Sequence, residues 1–88
     1  MTSRRVRIKN RLGLHARPAV LFVRASGACS SDIKIQKDDI VVDGKSIMGI
    51  LMLEAGIGTE LIITCIGDDE ETALQKLIDL VEDGFGED

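Results

Sequence analysis

The sequence predicts an α+β fold, an open-faced two-layer sandwich whose four-stranded, mainly antiparallel sheet is covered on one face by three helices in the order β-α-β-β-α-β-α. Two observations predict it. Strand-like segments with a two-residue period alternate with segments of helical spacing, and only Asp38-Asp39 separates Asp32–Lys37 from Ile40–Val42, as in a hairpin. A hairpin in the middle of the order makes the sheet largely antiparallel, and helices with one apolar stripe then pack on one of its faces. At 88 residues and 44% hydrophobic content, residues 1–88 are expected to form a single domain with one modest core.

Each element has its own warrant. From Arg4 to Lys9, Val6 and Ile8 lie on one side and Arg5, Arg7 and Lys9 on the other, the pattern of a half-buried strand. Ala16 to Ser26 spaces Ala19, Phe22, Val23 and Ser26 helically, with Pro18 in the first turn. Ile33 and Ile35 mark the next strand, and Ile40-Val41-Val42 returns beside it. Ser46 is a good N-cap or first-turn residue for a short helix from Ile47 to Leu53, in which Gly49 costs about 1 kcal/mol relative to alanine. Gly56 and Gly58 mark a turn before Glu60–Ile66, whose apolar residues on both faces predict a central strand. Asp68-Asp69-Glu70-Glu71 supplies a cap and first-turn acids for a last helix buried through Ala73, Leu74, Leu77, Ile78 and Val81. The tail from Gly84 to Asp88 is expected to fray.

Composition narrows the function. No apolar run approaches the roughly 18 residues that span a bilayer, and no basic segment precedes an apolar stretch near the N-terminus, so membrane insertion is not expected and a cytoplasmic location is. Cys29 and Cys65, with no CxxC spacing, read as reduced thiols. With no Trp or Tyr and a net charge of −4, the chain lacks the stacking platforms and basic balance of a nucleic-acid binder. Charge is uneven: residues 1–24 hold Arg4, Arg5, Arg7, Lys9, Arg11, Arg17 and Arg24 with no acid, whereas from Ser46 onward only Lys76 is basic. Such a basic end suits steering of an acidic protein partner or a phosphate donor, and equally a solvated surface.

The single histidine lies in Gly13-Leu14-His15-Ala16-Arg17-Pro18, between a strand and a helix. A helix start leaves backbone N–H groups without partners and carries partial positive charge, so it stabilises an anion. A free imidazole, with a pKa of about 6.5, offers a neutral nucleophilic nitrogen at cellular pH. A phosphoryl group on His15 would occupy that helix start, where Arg17 can bring a planar fork of donors to its oxygens, and Gly13 permits a sharp bend. An isolated histidine here would read as a surface N-cap. The coincidence of a small residue, a helix start, an arginine and a first-turn proline points instead to a phosphoryl-bearing residue.

This segment closely resembles the active-site signature of HPr, the histidine-containing phosphocarrier family of the bacterial phosphotransferase system. The element order is similar too, as is Lys45-Ser46-Ile47-Met48-Gly49-Ile50, which resembles the stretch around the family's regulatory serine. The resemblance implies that phosphoryl groups pass from phosphoenolpyruvate through enzyme I to Nδ1 of His15 and on to an enzyme II A-type acceptor, with Arg17 assisting both steps. It implies that Ser46 is the target of an ATP-dependent HPr kinase/phosphorylase, acting on partners such as a transcriptional regulator, and that Ile47, Met48 and Leu51 dock partners. Core packing is an equal reading for Ile47 and Leu51, and a plain helix cap an alternative for Ser46. The protein would then be a monomeric stoichiometric carrier and no enzyme, without a cofactor. A nitrogen-regulatory branch of the relay fits as well as sugar transport. From another class, a regulatory interaction module would work through Ser46 with His15 idle.

Two look-alikes are set aside. Gly44-Lys45-Ser46 imitates the end of a P-loop, but Asp39 stands where its first glycine belongs. The acids at Asp38-Asp39 and Asp68–Glu71 are explained by a hairpin turn and a helix first turn, so no metal site is expected. Three positions depart from the family pattern. Arg11-Leu12 replaces small polar residues, and Glu54 stands where many members end the second helix with glycine.

Overall fold

The computed structural model describes residues 1–87. Its elements are β1 (Thr2–Arg7), α1 (Ala16–Gly27), β2 (Asp32–Lys37), β3 (Ile40–Asp43), α2 (Ile47–Met52), β4 (Glu60–Ile66), α3 (Glu70–Glu82) and a 3₁₀ turn (Gly84–Gly86). The strands form one antiparallel sheet in the order β1-β4-β2-β3. Alternation decides which side chains meet the helices: Val6 opposite Leu61, Ile35 opposite Ile63 and Ile33 opposite Cys65 are all buried. Above them lie Ala19 and Phe22 of α1, Ile50 of α2, and Ala73, Leu74, Leu77, Ile78 and Val81 of α3. The expected open-faced sandwich is therefore the observed one.

Several boundaries move for identifiable reasons. The first strand spans Thr2–Arg7, not Arg4–Lys9, because its pairing partner β4 offers a ladder from Cys65 back to Glu60. Ile8 lies beyond the ladder but stays buried, its N–H donating to Thr59 O at 2.9 Å and its carbonyl accepting from Gly58 N at 2.8 Å. β4 is central as expected, yet its second apolar face is uncovered: Ile62 and Thr64 are half-buried and Ile66 is exposed. Central position comes from pairing on both edges, not from burial of both faces.

The short second helix begins at Ser46, whose Oγ accepts the Gly49 N–H at 3.1 Å. Gly49 has a packing reason to be there, since an added Cβ would come within 3.2 Å of the Val42 Cβ on β3. The helix ends at Met52, and Glu54 adopts φ +49°, the left-handed conformation for which glycine is the usual residue at a helix end. Asp69 is the N-cap of α3 by position, but its carboxylate does not cap the helix. It accepts the N–H groups of Ser30 and Ser31 at 2.9 and 3.0 Å and the Ser31 hydroxyl, tying the turn before β2 to the start of α3. These bonds hold the Asp69 carboxyl down at about 2, led by the one from the Ser31 hydroxyl. Glu70, the first residue of the helix, accepts Gly67 N at 3.1 Å and donates its own N–H to Gly67 O, closing the turn that leads into α3.

The expectation of a frayed tail is corrected for Gly84–Glu87, while Asp88 lies outside the described residues. Phe85 is buried in the core, and the 3₁₀ turn that carries it closes through Gly86 N to Asp83 O and Glu87 N to Gly84 O. Burial of an aromatic side chain, worth roughly 1.5–3 kcal/mol, outweighs the entropy of a glycine-rich end. The consequence is functional, because the turn delivers Glu87 to His15.

Candidate functional site around His15

Backbone geometry builds the loop before α1. Asn10 O accepts Gly13 N at 3.1 Å, closing a four-residue turn, and the Asn10 side chain donates from Nδ2 to Gly13 O at 2.7 Å. Gly13 has φ +69°, and a Cβ there would lie 2.3 Å from Ala55 O and 2.7 Å from Gly56 Cα, so only glycine fits. Leu14 is buried and its N–H donates to Ala55 O at 2.8 Å. The loop is thus clamped to the segment after α2, and the next residue, His15, is presented at the helix start.

His15 is the N-cap of α1, with extended backbone and no side-chain bond to the helix. Its carbonyl accepts the Ala19 N–H at 3.0 Å. Pro18 sits in the first turn and brings no N–H of its own, and among the described residues the N–H groups of Ala16 and Arg17 have no hydrogen-bond partner. The imidazole side chain is 35% exposed, enough for a partner to reach it. Its Nε2 lies 2.8 Å from Glu87 Oε1, which also accepts from Asn10 Nδ2 at 2.9 Å. Hydrogen bonds from His15 first and Asn10 second hold the Glu87 carboxyl below the usual carboxylate range, with a smaller contribution from the Arg17 charge. Arg17 itself is exposed and makes no hydrogen bond among the described residues, so its guanidinium is available to an incoming anion.

The other predicted residues occupy different surroundings. Ser46 is half-buried, its hydroxyl engaged at the α2 cap, and no hydrogen bond links it to the His15 cluster. α1 and α2 nevertheless pack together, so the two segments belong to neighbouring helices. Met48 is 69% exposed and Ile47 40%, so both side chains lie outside the core. Leu51 is partly buried against the core. Met52, passed over in the sequence, is as exposed as Met48, and so is Leu12 in the His15 loop. Also missed were Asn10 and Glu87. Asn10 carries a detectable signal, an Asn-x-x-Gly turn signature ahead of the helix. Glu87 carries none, because its position depends on where Phe85 is buried.

Both thiols are buried, and burial first, then the neighbouring Cys29 and the acids Asp69 and Glu70, pushes the Cys65 thiol up to about 11. Among the described residues no group of His, Cys, Asp and Glu is placed to hold a metal ion, and no helix is long and apolar enough to cross a membrane.

A four-stranded open-faced sandwich with a single histidine at the first turn of α1 defines an HPr-type architecture. Residues 2–83 match the family described as the PTS HPr component phosphorylation site. The chain is 42% identical over 87 residues to the phosphocarrier protein HPr of Treponema pallidum, covering 99% of each. It is 40% identical over 83 residues to the HPr-like protein Crh of Bacillus subtilis, covering 94% of this chain and 98% of Crh. The crystal structure of HPr from Thermoanaerobacter tengcongensis superposes with a TM-score of 0.96 at 46% identity, covering 100% of this chain and 99% of that one. The chain belongs to the HPr phosphocarrier family of the bacterial phosphotransferase system.

Proposed function

We propose that this protein is a stoichiometric carrier in which His15 accepts a phosphoryl group from phosphorylated enzyme I and donates it to an enzyme II A-type acceptor. The observation that carries the reading is the imidazole itself: partly exposed and, among the described residues, hydrogen-bonded only through Nε2 and seated beside N–H groups of Ala16 and Arg17 that have no partner. A phosphoryl group on the other ring nitrogen, Nδ1, is favoured by those donors and by the positive end of α1. Arg17 supplies a mobile charge that follows the phosphoryl oxygens during transfer. In this reading residues 1–88 act as one cytoplasmic, monomeric unit, and Ile47, Met48 and Leu51 contact the proteins that dock over His15.

Ser46 is the proposed site of a second, regulatory phosphorylation by an HPr kinase/phosphorylase. Its Oγ already occupies the α2 cap, so a phosphate there would change charge at the docking face more than it changes the fold. The similarity to Crh, together with the exposed Met48 beside Ser46, favours a second reading in which a Ser46-controlled surface regulates a transcriptional partner. The two separate on one experiment: the purified chain and its His15→Ala variant are incubated with enzyme I and labelled phosphoenolpyruvate. Acid-labile, alkali-stable label on the parent alone supports the carrier. No label with several enzymes I, alongside acid-stable label on Ser46 from the kinase, supports the regulatory module.

A further inference from the structure

We propose that Met48 and Met52 are a reversible oxidation site: peroxides convert both thioethers to sulfoxides, and the two S–O dipoles weaken protein docking at α2 without unfolding the chain. This inference rests on the reading of Ile47, Met48 and Leu51 as a docking surface of the carrier.

The fold puts both thioethers outside. Ile50 is wholly buried in the core, and at about 100° per residue the positions two before and two after it fall on the opposite side of α2. Those positions are Met48 and Met52, each 69% exposed. Four residues apart, they lie one above the other on a single face. The thiols, ordinarily the faster targets, are sealed off. Cys29 is buried with its Sγ hydrogen donated to Ala25 O at 3.3 Å, and the buried Cys65 thiol, pushed up to about 11, carries almost no reactive thiolate at neutral pH. A peroxide in solution therefore meets methionine first. Met1, 80% exposed, is the one further thioether and lies outside α2, where it serves as an internal control.

The step balances with the peroxide alone. The thioether sulfur attacks one peroxide oxygen, the S–O bond forms as the O–O bond breaks, and the departing hydroxide takes the proton of the transferred oxygen to leave as water. Sulfur is oxidised by two electrons and the peroxide is reduced by the same two. The product is polar where an adaptable apolar side chain stood, so a partner that covers it must desolvate the sulfoxide oxygen. The fold loses nothing, because neither side chain is in the core and the bond from Gly49 N to the Ser46 hydroxyl is untouched. Methionine sulfoxide reductases, one for each sulfoxide epimer, reverse the change.

The test treats the full chain and a Met48→Leu/Met52→Leu variant with hydrogen peroxide, removes the peroxide, and compares each chain with its own untreated sample. Peptide mass spectrometry maps the added oxygen, thiols are titrated after unfolding, urea unfolding reads stability, and phosphoryl uptake from enzyme I is followed over a range of chain concentrations. The parent is expected to gain oxygen at Met48 and Met52 with both thiols still free and the urea midpoint unshifted, while the KM of enzyme I for it rises about tenfold and kcat holds within about twofold. Both reductases together should restore KM. The variant, oxidised only at Met1, should keep the KM of its untreated sample. Thiols consumed before the two methionines, a lowered urea midpoint, or an unchanged KM for the doubly oxidised parent overturns the proposal. A Met48→Glu chain tells that failure from failure of the docking surface: a raised KM for Met48→Glu with no change on oxidation strikes the oxidation site alone, whereas no effect of either strikes the docking reading as well. Absence of label on the untreated parent strikes the carrier reading and this inference with it.

Discussion

Replacing Gly13 by alanine perturbs the loop that presents His15, and the structure gives the size of the effect. The residue has φ +69°, a conformation that costs an L-residue about 1–2 kcal/mol. The added Cβ would stand 2.3 Å from Ala55 O, a backbone atom that cannot swing aside, so the loop must move and give up the Leu14 N–H to Ala55 O bond, worth about 1 kcal/mol net. Loss of glycine's freedom in the unfolded chain returns about 0.5–1 kcal/mol. The expected net loss, including relief of the clash, is about 2–3 kcal/mol, or about 10–20 °C in Tm for a chain of this size. Urea unfolding at constant m reads it, with Gly27→Ala as a control, since nothing lies within 4 Å of a Cβ there. A Gly13→Ala loss below about 1 kcal/mol would refute the clamp between the His15 loop and the segment after α2.

The remaining predictions draw on other elements. Glu54→Gly relieves a left-handed residue at the end of α2 and should stabilise by about 0.5 kcal/mol in urea unfolding, the relief outweighing glycine's entropy only slightly. Phe85→Ala should cost about 3 kcal/mol and also release Glu87 from His15, visible as altered His15 ring resonances. The Asp69 carboxyl lies below its ordinary value in the folded state, so the unfolded chain binds the extra proton. Its contribution is full above about pH 4 and fades as pH falls toward about 2, and Asp69→Asn should flatten the stability curve across that window. Arg17→Ala should leave the unfolding free energy within about 0.5 kcal/mol, because the side chain is exposed and makes no hydrogen bond among the described residues, yet slow phosphoryl uptake about tenfold or more.

What was legible in the sequence is what local periodicity and turn chemistry encode. The alternation of Val6 and Ile8, the Asp38-Asp39 hairpin and the stripe from Ala73 to Val81 all match the buried face or the pairing observed. The segment from Gly13 to Pro18 placed His15 at the start of α1 because glycine, proline and helical spacing are short-range signals. Less legible were features set by distant partners. β1 begins at Thr2 because β4 pairs that far, and Asp69 leaves its helix because Ser30 and Ser31, some 39 residues away, offer better donors. Gly84-Phe85-Gly86 shows no periodicity, so its burial, and with it the approach of Glu87 to His15, could not be read before the core was assembled. The one hint was that Phe85 is one of only two aromatic residues in the chain, a costly residue to leave exposed.

The central claim, that the phosphoryl group is carried and not merely acquired, is tested most directly by loading the chain with labelled phosphate from enzyme I, removing the enzyme, and adding an enzyme II A-type domain. The account predicts that label leaves His15 and appears on the acceptor domain far faster than it is lost to water. Label that stays on His15, or that is released as inorganic phosphate at the same rate with and without the acceptor, would contradict it.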